Sequence, residues 1–130
     1  MMGFHWFPLW PPTTNLIWRR GGRQTYLTTR AKEFRKLVEH ETQWARAMKE
    51  MPNVALKGNL QVSLEFYPPD RRRRDIDNLL KSVLDAMTHA GVWLDDSQIK
   101  NLCVEMKEPD TAKKGKFYIC VEELNLEGAA

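Results

Sequence analysis

With 130 residues, a formal net charge of +3, and 42% hydrophobic against 28% charged residues, the chain has the size of one domain with a single core; its composition excludes a disordered polymer. One domain spanning residues 1–130 is expected, with a frayed acidic tail after about residue 124. Cys103 and Cys120 lack zinc-site spacing and are too few for a disulfide scaffold, so ordinary thiols in a reducing cytoplasm are expected.

No stretch reaches the roughly 20 apolar residues of a membrane span. The apolar start MMGFHWFPLWPP is broken by prolines and lacks the cationic lead of a signal peptide, so no membrane partner is expected. Positive charge is gathered into three runs: Arg19, Arg20 and Arg23; Arg71 to Arg74; and Lys113, Lys114 and Lys116. Any one of these reads equally as a solvated loop, but the three together point to a polyanionic partner.

In chain order, residues 4–10 are aromatic-rich and predict a first strand, stopped by Pro11 and Pro12. A loop is expected next, with Asn15, the first basic run and Gly21-Gly22. From Thr29 a helix is predicted to about Met51-Pro52, capped by Thr28 or Thr29, with Phe34, Leu37, Val38, Trp44, Ala45 and Met48 on one side.

Leu60, Val62, Leu64 and Phe66 alternate with polar residues and predict a half-buried strand that Pro68-Pro69 ends. Ile76, Leu79, Leu80, Val83, Leu84, Met87 and Ala90 form the apolar stripe of a second helix over about 76–90, which Gly91 terminates; Asp77, Lys81 and Asp85 lie opposite. Leu102-Val104-Met106 and Phe117-Ile119-Val121 read as an antiparallel hairpin. The order β-α-β-α-β-β predicts a small α+β domain, a mixed sheet with both helices packed on one face.

Asp75 and Asp77 lie two apart at the start of the second helix, whose electropositive end tolerates paired negative charge. The same residues serve as an N-cap and a first-turn acid without any metal. Asp95 and Asp96 follow the helix. Because a helix of that length spans about 22 Å, Asp96 meets Asp77 only if the chain doubles back along it.

Three carboxylates that did meet would suit Mg²⁺, with Mn²⁺ able to substitute; such an ion activates water and neutralises developing charge in phosphodiester hydrolysis. Lys81, one turn after Asp77, is placed either to reach a phosphate or to pair with an aspartate at little gain. Arg71, Arg72, Arg73 and Arg74 directly precede the carboxylates, and with Asn15, Arg19, Arg20 and Arg23 they make the predicted DNA-binding set, anchoring flanking phosphates. Trp6, Trp10 and Trp18 suit core packing or base stacking. His5, His40 and His89 stand in no relation to a nucleophile and are expected to be structural or surface residues.

The segment DRRRRDIDNLLKSVLDAMTHAGVWLDDSQI, residues 70–99, closely resembles the signature of RusA-type Holliday-junction resolvases of bacteria and their phages. It joins an Arg-rich lead-in, a D-x-D-N-L helix start, a lysine four residues after the second Asp, and G-x-W-x-D-D. FPLWPPTTN, residues 7–15, is similar to the family's first strand and Pro-Pro turn, although residues before Trp6 and Thr13-Thr14 depart from it.

The resemblance implies a cytoplasmic, metal-dependent homodimer that binds four-way junctions by their structure and nicks two opposed strands symmetrically. It matches Asp75, Asp77 and Asp96 to the essential metal-holding acids, Lys81 to the catalytic lysine and Asp95 to the adjacent acidic position, a further candidate metal ligand. The outer sheet face, with Tyr67, Cys103, Tyr118 and Cys120, is a candidate pairing surface. Two other readings stay open, a branched-DNA-binding module without activity and a nuclease for flaps or forks.

Overall fold

A computed structural model describes residues 2–12, 18–21 and 24–124. The elements run β1 (Met2–Phe7), β2 (Trp18–Gly21), β3 (Gln24–Leu27), α1 (Thr29–Ala47), β4 (Leu60–Tyr67), α2 (Ile76–His89), a 3-10 turn (Asp96–Gln98), β5 (Ile99–Met106) and β6 (Lys116–Glu123). Of the predicted DNA-binding residues, Asn15 and Arg23 lie outside the described residues, and Arg19 and Arg20 are described by backbone alone, in β2.

Strict alternation builds the sheet: Leu60, Val62, Leu64 and Phe66 of β4 and Phe117, Ile119 and Val121 of β6 are fully buried, and their neighbours face outward. The four strands lie in the order β1-β6-β4-β5. Phe34 and Val38 of α1 and Leu79, Val83, Ala86 and Met87 of α2 close over the buried side, so both helices cover one face. Each such side chain contributes roughly 1.5–3 kcal/mol by leaving water. The fold is α+β with a mixed sheet, as predicted.

The predicted hairpin of the last two strands is not formed. β4 lies between them, parallel to β5 and antiparallel to β6. The reason is the α2 crossover: a helix between two strands returns the chain to run the second parallel to the first. Segment 107–115 then spans the roughly 10 Å across β4 to begin β6, a reach a tight turn lacks.

Two further expectations are corrected. The predicted loop around Gly21-Gly22 holds the antiparallel pair β2-β3, with Trp18 opposite Leu27 and Gly21 opposite Gln24. On α1 the buried residues are Ala31, Phe34, Val38, Thr42 and Ala45, whereas Leu37, Trp44 and Met48 are exposed. At 100° per residue those three form their own stripe, about 90° round the helix from the core line.

Where β1 meets α1, buried His5 lies between the carboxylates of Glu41, at 3.1 Å, and Glu50. Cys103 and Cys120 are free thiols. Among the described residues no helix is long and apolar enough to cross a membrane.

Candidate active site

The C-terminal end of β4 runs into Pro68-Pro69 and then the arginine tract. Asp70 organises it: its Oδ1 accepts the Arg72 N–H at 3.0 Å and the Arg74 guanidinium at 2.8 Å. The Arg72 N–H and the Arg74 side chain hold the Asp70 carboxyl below its ordinary range. Arg74 also donates to the Asp70 and Arg72 carbonyls at 3.1 Å and stacks over Trp10, 5.5 Å from the ring centre.

Arg74 is therefore a strut. Arg71 and Arg72 are exposed and, among the described residues, make one open ion pair each, to Glu108 at 3.2 Å and to Asp70 at 3.7 Å, the kind that contributes little. Arg73 is exposed and makes no ion pair among the described residues.

Asp75 occupies the N-cap of α2 with extended backbone, φ −91° and ψ 124°, yet its side chain makes no capping hydrogen bond. The cap reading of this residue is thus not realised; its carboxylate is exposed, as is that of Asp77 in the first turn. The unpaired N–H groups of the helix start supply positive potential to this pair. α2 is fixed by Ser82, whose buried hydroxyl donates to the Pro12 carbonyl and so pins the helix to the chain after β1. Lys81 lies 3.9 Å from the Asp85 carboxylate one turn on and is more than half exposed.

At the other end of α2, Trp93 is buried and donates from Nε1 to the Thr88 hydroxyl at 2.7 Å. This anchors the turn carrying Asp95 and Asp96. Asp95 caps that turn by accepting the Ser97 N–H at 3.0 Å, and hydrogen bonds from Ser97 hold its carboxyl below the ordinary range. Asp95 is thereby a structural acid, and Asp96 is left exposed beside it.

Gln98 holds the turn in place. Its Oε1 accepts from Leu94 and Asp95 N–H, both at 2.8 Å, and its Nε2 donates to the Leu56 and Gly58 carbonyls, both at 2.9 Å. Gln98→Leu removes four hydrogen bonds and leaves two N–H and two C=O groups to find water. A loss of roughly 1–3 kcal/mol is expected, read as a lower midpoint in urea unfolding. Sequence reasoning missed Gln98, although its place three after Asp95 is the spacing of a capping box. It also missed Asp70, whose signal was the four-residue spacing to Arg74.

Asp75, Asp77 and Asp96, expected to hold a metal together, do not gather within one chain. Asp75 and Asp77 open α2, Asp96 follows its far end, and 14 helical residues separate the sites by roughly 20 Å. Sheet register agrees: β5, which starts just after Asp96, begins beside Leu60, the first residue of β4, whereas Asp75 follows β4's last residue. Among the described residues no group of three His, Cys, Asp or Glu side chains is placed to hold a metal ion.

A small α+β chain whose exposed acids Asp75 and Asp77 directly follow an arginine tract has the make-up of a nuclease. Comparison with known proteins carries this to a family: residues 8–122 match the family described as Endodeoxyribonuclease RusA, and the chain belongs to it. It is 36% identical over 119 residues to the crossover junction endodeoxyribonuclease RusA of Escherichia coli K12, covering 91% of this chain and 92% of that protein. The enzyme of the same name from Enterobacteria phage 82 is equally similar, 36% over 119 residues. That of Shigella sonnei is 35% identical over 118 residues.

Proposed function

We propose that this protein resolves Holliday junctions, as a homodimer that cuts two opposed strands by metal-dependent phosphodiester hydrolysis. The observation that carries the reading is the uncapped Asp75 with Asp77 two residues on, two exposed carboxylates in no hydrogen bond or ion pair among the described residues, directly after an exposed arginine tract. Relatives that bear the crossover-junction name over more than nine-tenths of their length support it.

Two donors from one chain and a third from the other end of α2 are reconciled by a two-fold axis. Asp75 and Asp77 of one protomer then face the partner subunit's Asp96, a set of hard oxygen donors suited to Mg²⁺ or Mn²⁺. Such an ion, when bound, activates water and offsets charge on the phosphate. In this chain Lys81 supplies a cation one turn from the carboxylates, Asp95 and Gln98 position the Asp96 turn, and Arg71 to Arg73 take flanking phosphates around the strut Arg74.

The β5 edge fits such a pairing better than the outer sheet face with Tyr67, Cys103, Tyr118 and Cys120. Antiparallel contact along β5 sets the start of one strand, next to Asp96, beside the end of the other, next to the arginine tract. That edge carries Leu102, 39% exposed, and α2, which packs against β5, leaves Ile76 37% exposed. A closed two-fold dimer also matches the symmetry of a four-way junction.

The test is incubation of a labelled four-way junction, a fork and a linear duplex with the protein, with and without Mg²⁺. Paired nicks in the junction alone, only with metal, are expected. A shifted band with no cleavage would make the chain a binding module, and equal cutting of forks would change the substrate.

A further inference from the structure

We propose that the β5–β6 loop is a second DNA-backbone contact, its Lys113 and Lys114 gripping phosphates of the arm that leads away from the Asp75–Asp77 pair. This rests on the reading of the chain as a DNA enzyme and names residues which that reading does not use.

The cations at this end of the sheet sort into two kinds. Lys107 is held by Glu105 at 2.7 Å and Glu65 at 3.4 Å; Lys116 lies over Trp6 at 4.9 Å and 3.7 Å from Asp110. Both are spent within the fold, as Arg74 is. Lys113 and Lys114 are exposed and make no ion pair among the described residues.

The loop that carries them is built to stay in place. Asp110 is 7% exposed and accepts N–H groups of Ala112, Lys114 and Gly115 at 3.2, 3.4 and 3.1 Å, and its own N–H donates to the Pro68 carbonyl at 2.7 Å. Burial would raise its carboxyl, but these N–H groups and Lys116 outweigh it and hold the group below the ordinary range. Gly115, at φ 84°, packs so close to Trp10 that a Cβ would come within 2.9 Å of the ring. The loop is therefore tied to the same Trp10 that supports Arg74.

Lys113 itself sits at φ 58°, a left-handed conformation that glycine or asparagine adopts at far less cost. It lines an open cleft of about 440 Å³ with Arg71 and the acids Asp70, Glu108 and Asp110; Asp70 and Asp110 are taken up by the hydrogen bonds above and Glu108 pairs with Arg71, so Lys113 is the cation left unpaired there among the described residues. Such a trough suits the evenly spaced charges of a sugar–phosphate backbone.

The test is binding of a synthetic four-way junction and of a linear duplex in EDTA, from 50 to 200 mM salt. Four proteins are compared: the wild type, K113A/K114A, K113G, and K36A/K49A as an equal charge loss on and just after α1. For K113A/K114A the slope of log affinity against log salt is expected to flatten by roughly 2 per engaged protomer, and affinity at 100 mM salt to fall about tenfold for both DNAs. K113G is expected to weaken binding while keeping or raising the melting temperature, because glycine relieves the backbone.

An unchanged slope in K113A/K114A, or an equal loss in K36A/K49A, would overturn the proposal. Since no cleavage is read, a protein that binds through this loop but cuts nothing would refute only the activity. One that cuts junctions with an unaltered salt slope would refute only this contact.

Discussion

Asp75→Asn and Asp77→Asn, each alone, are expected to abolish strand cleavage while junction binding stays intact or tightens. Both carboxylates are exposed and neither closes a cap, so replacing them by the isosteric amide leaves the helix start as it is. Stabilisation of the reacting phosphate by a metal amounts to several kcal/mol, so loss of a donor lowers the rate by roughly a thousandfold. Affinity moves the other way, because an acid facing a phosphate repels it whenever the metal is absent. Single-turnover cleavage with Mg²⁺ and gel-shift titration without it check the two halves. Normal cutting by both variants would remove the pair from the chemistry.

Asp96→Asn is expected to lose cleavage as completely, although within its own chain Asp96 lies at the far end of α2. Its carboxylate is exposed and the turn is held by Asp95 and Gln98, so the variant should melt within a degree or two of the wild type. Asp95→Asn differs in kind. It removes a charged acceptor from the Ser97 N–H, so its main effect is on the turn, seen as a lower melting temperature with partial activity. A stability loss for Asp95 with a rate loss for Asp96 separates two neighbouring acids that the sequence motif presents together.

Much of this was legible in the residues. The period-two run Leu60 to Phe66 and the three-and-four stripe Leu79 to Met87 each report a face against the core, and both elements lie where the patterns put them. Alternation says that a segment is a strand but not which strand it pairs with, and so β5 and β6 read as a hairpin although β4 separates them. Apolar residues on the flank of a helix merge with the core line in projection, which is why Leu37, Trp44 and Met48 read as one side with Phe34, Val38 and Ala45 although they are exposed.

At the site, the residue types and the family resemblance pointed to the acids, and helix length set the condition that the chain double back for Asp96 to meet Asp77, but spacing could not say whether it does. The anchoring roles of Gln98 and Asp110 depend on carbonyls and N–H groups that no side-chain pattern displays. Sorting the basic residues into struts and free cations likewise needed their partners in space: Arg74, Lys107 and Lys116 look no different in sequence from Arg73, Lys113 and Lys114.

Subunit complementation asks the central question directly. The D75N/D77N and D96N proteins, each inactive alone, are unfolded together, refolded as a mixture, and assayed on a labelled four-way junction with Mg²⁺. If each site takes Asp75 and Asp77 from one protomer and Asp96 from the other, every mixed dimer has one intact site. Nicking of a single strand should then return at about a quarter of the wild-type site count under random pairing. A mixture as inactive as its two components, with mixed dimers shown to form, would mean that the three acids act within one chain or not together at all.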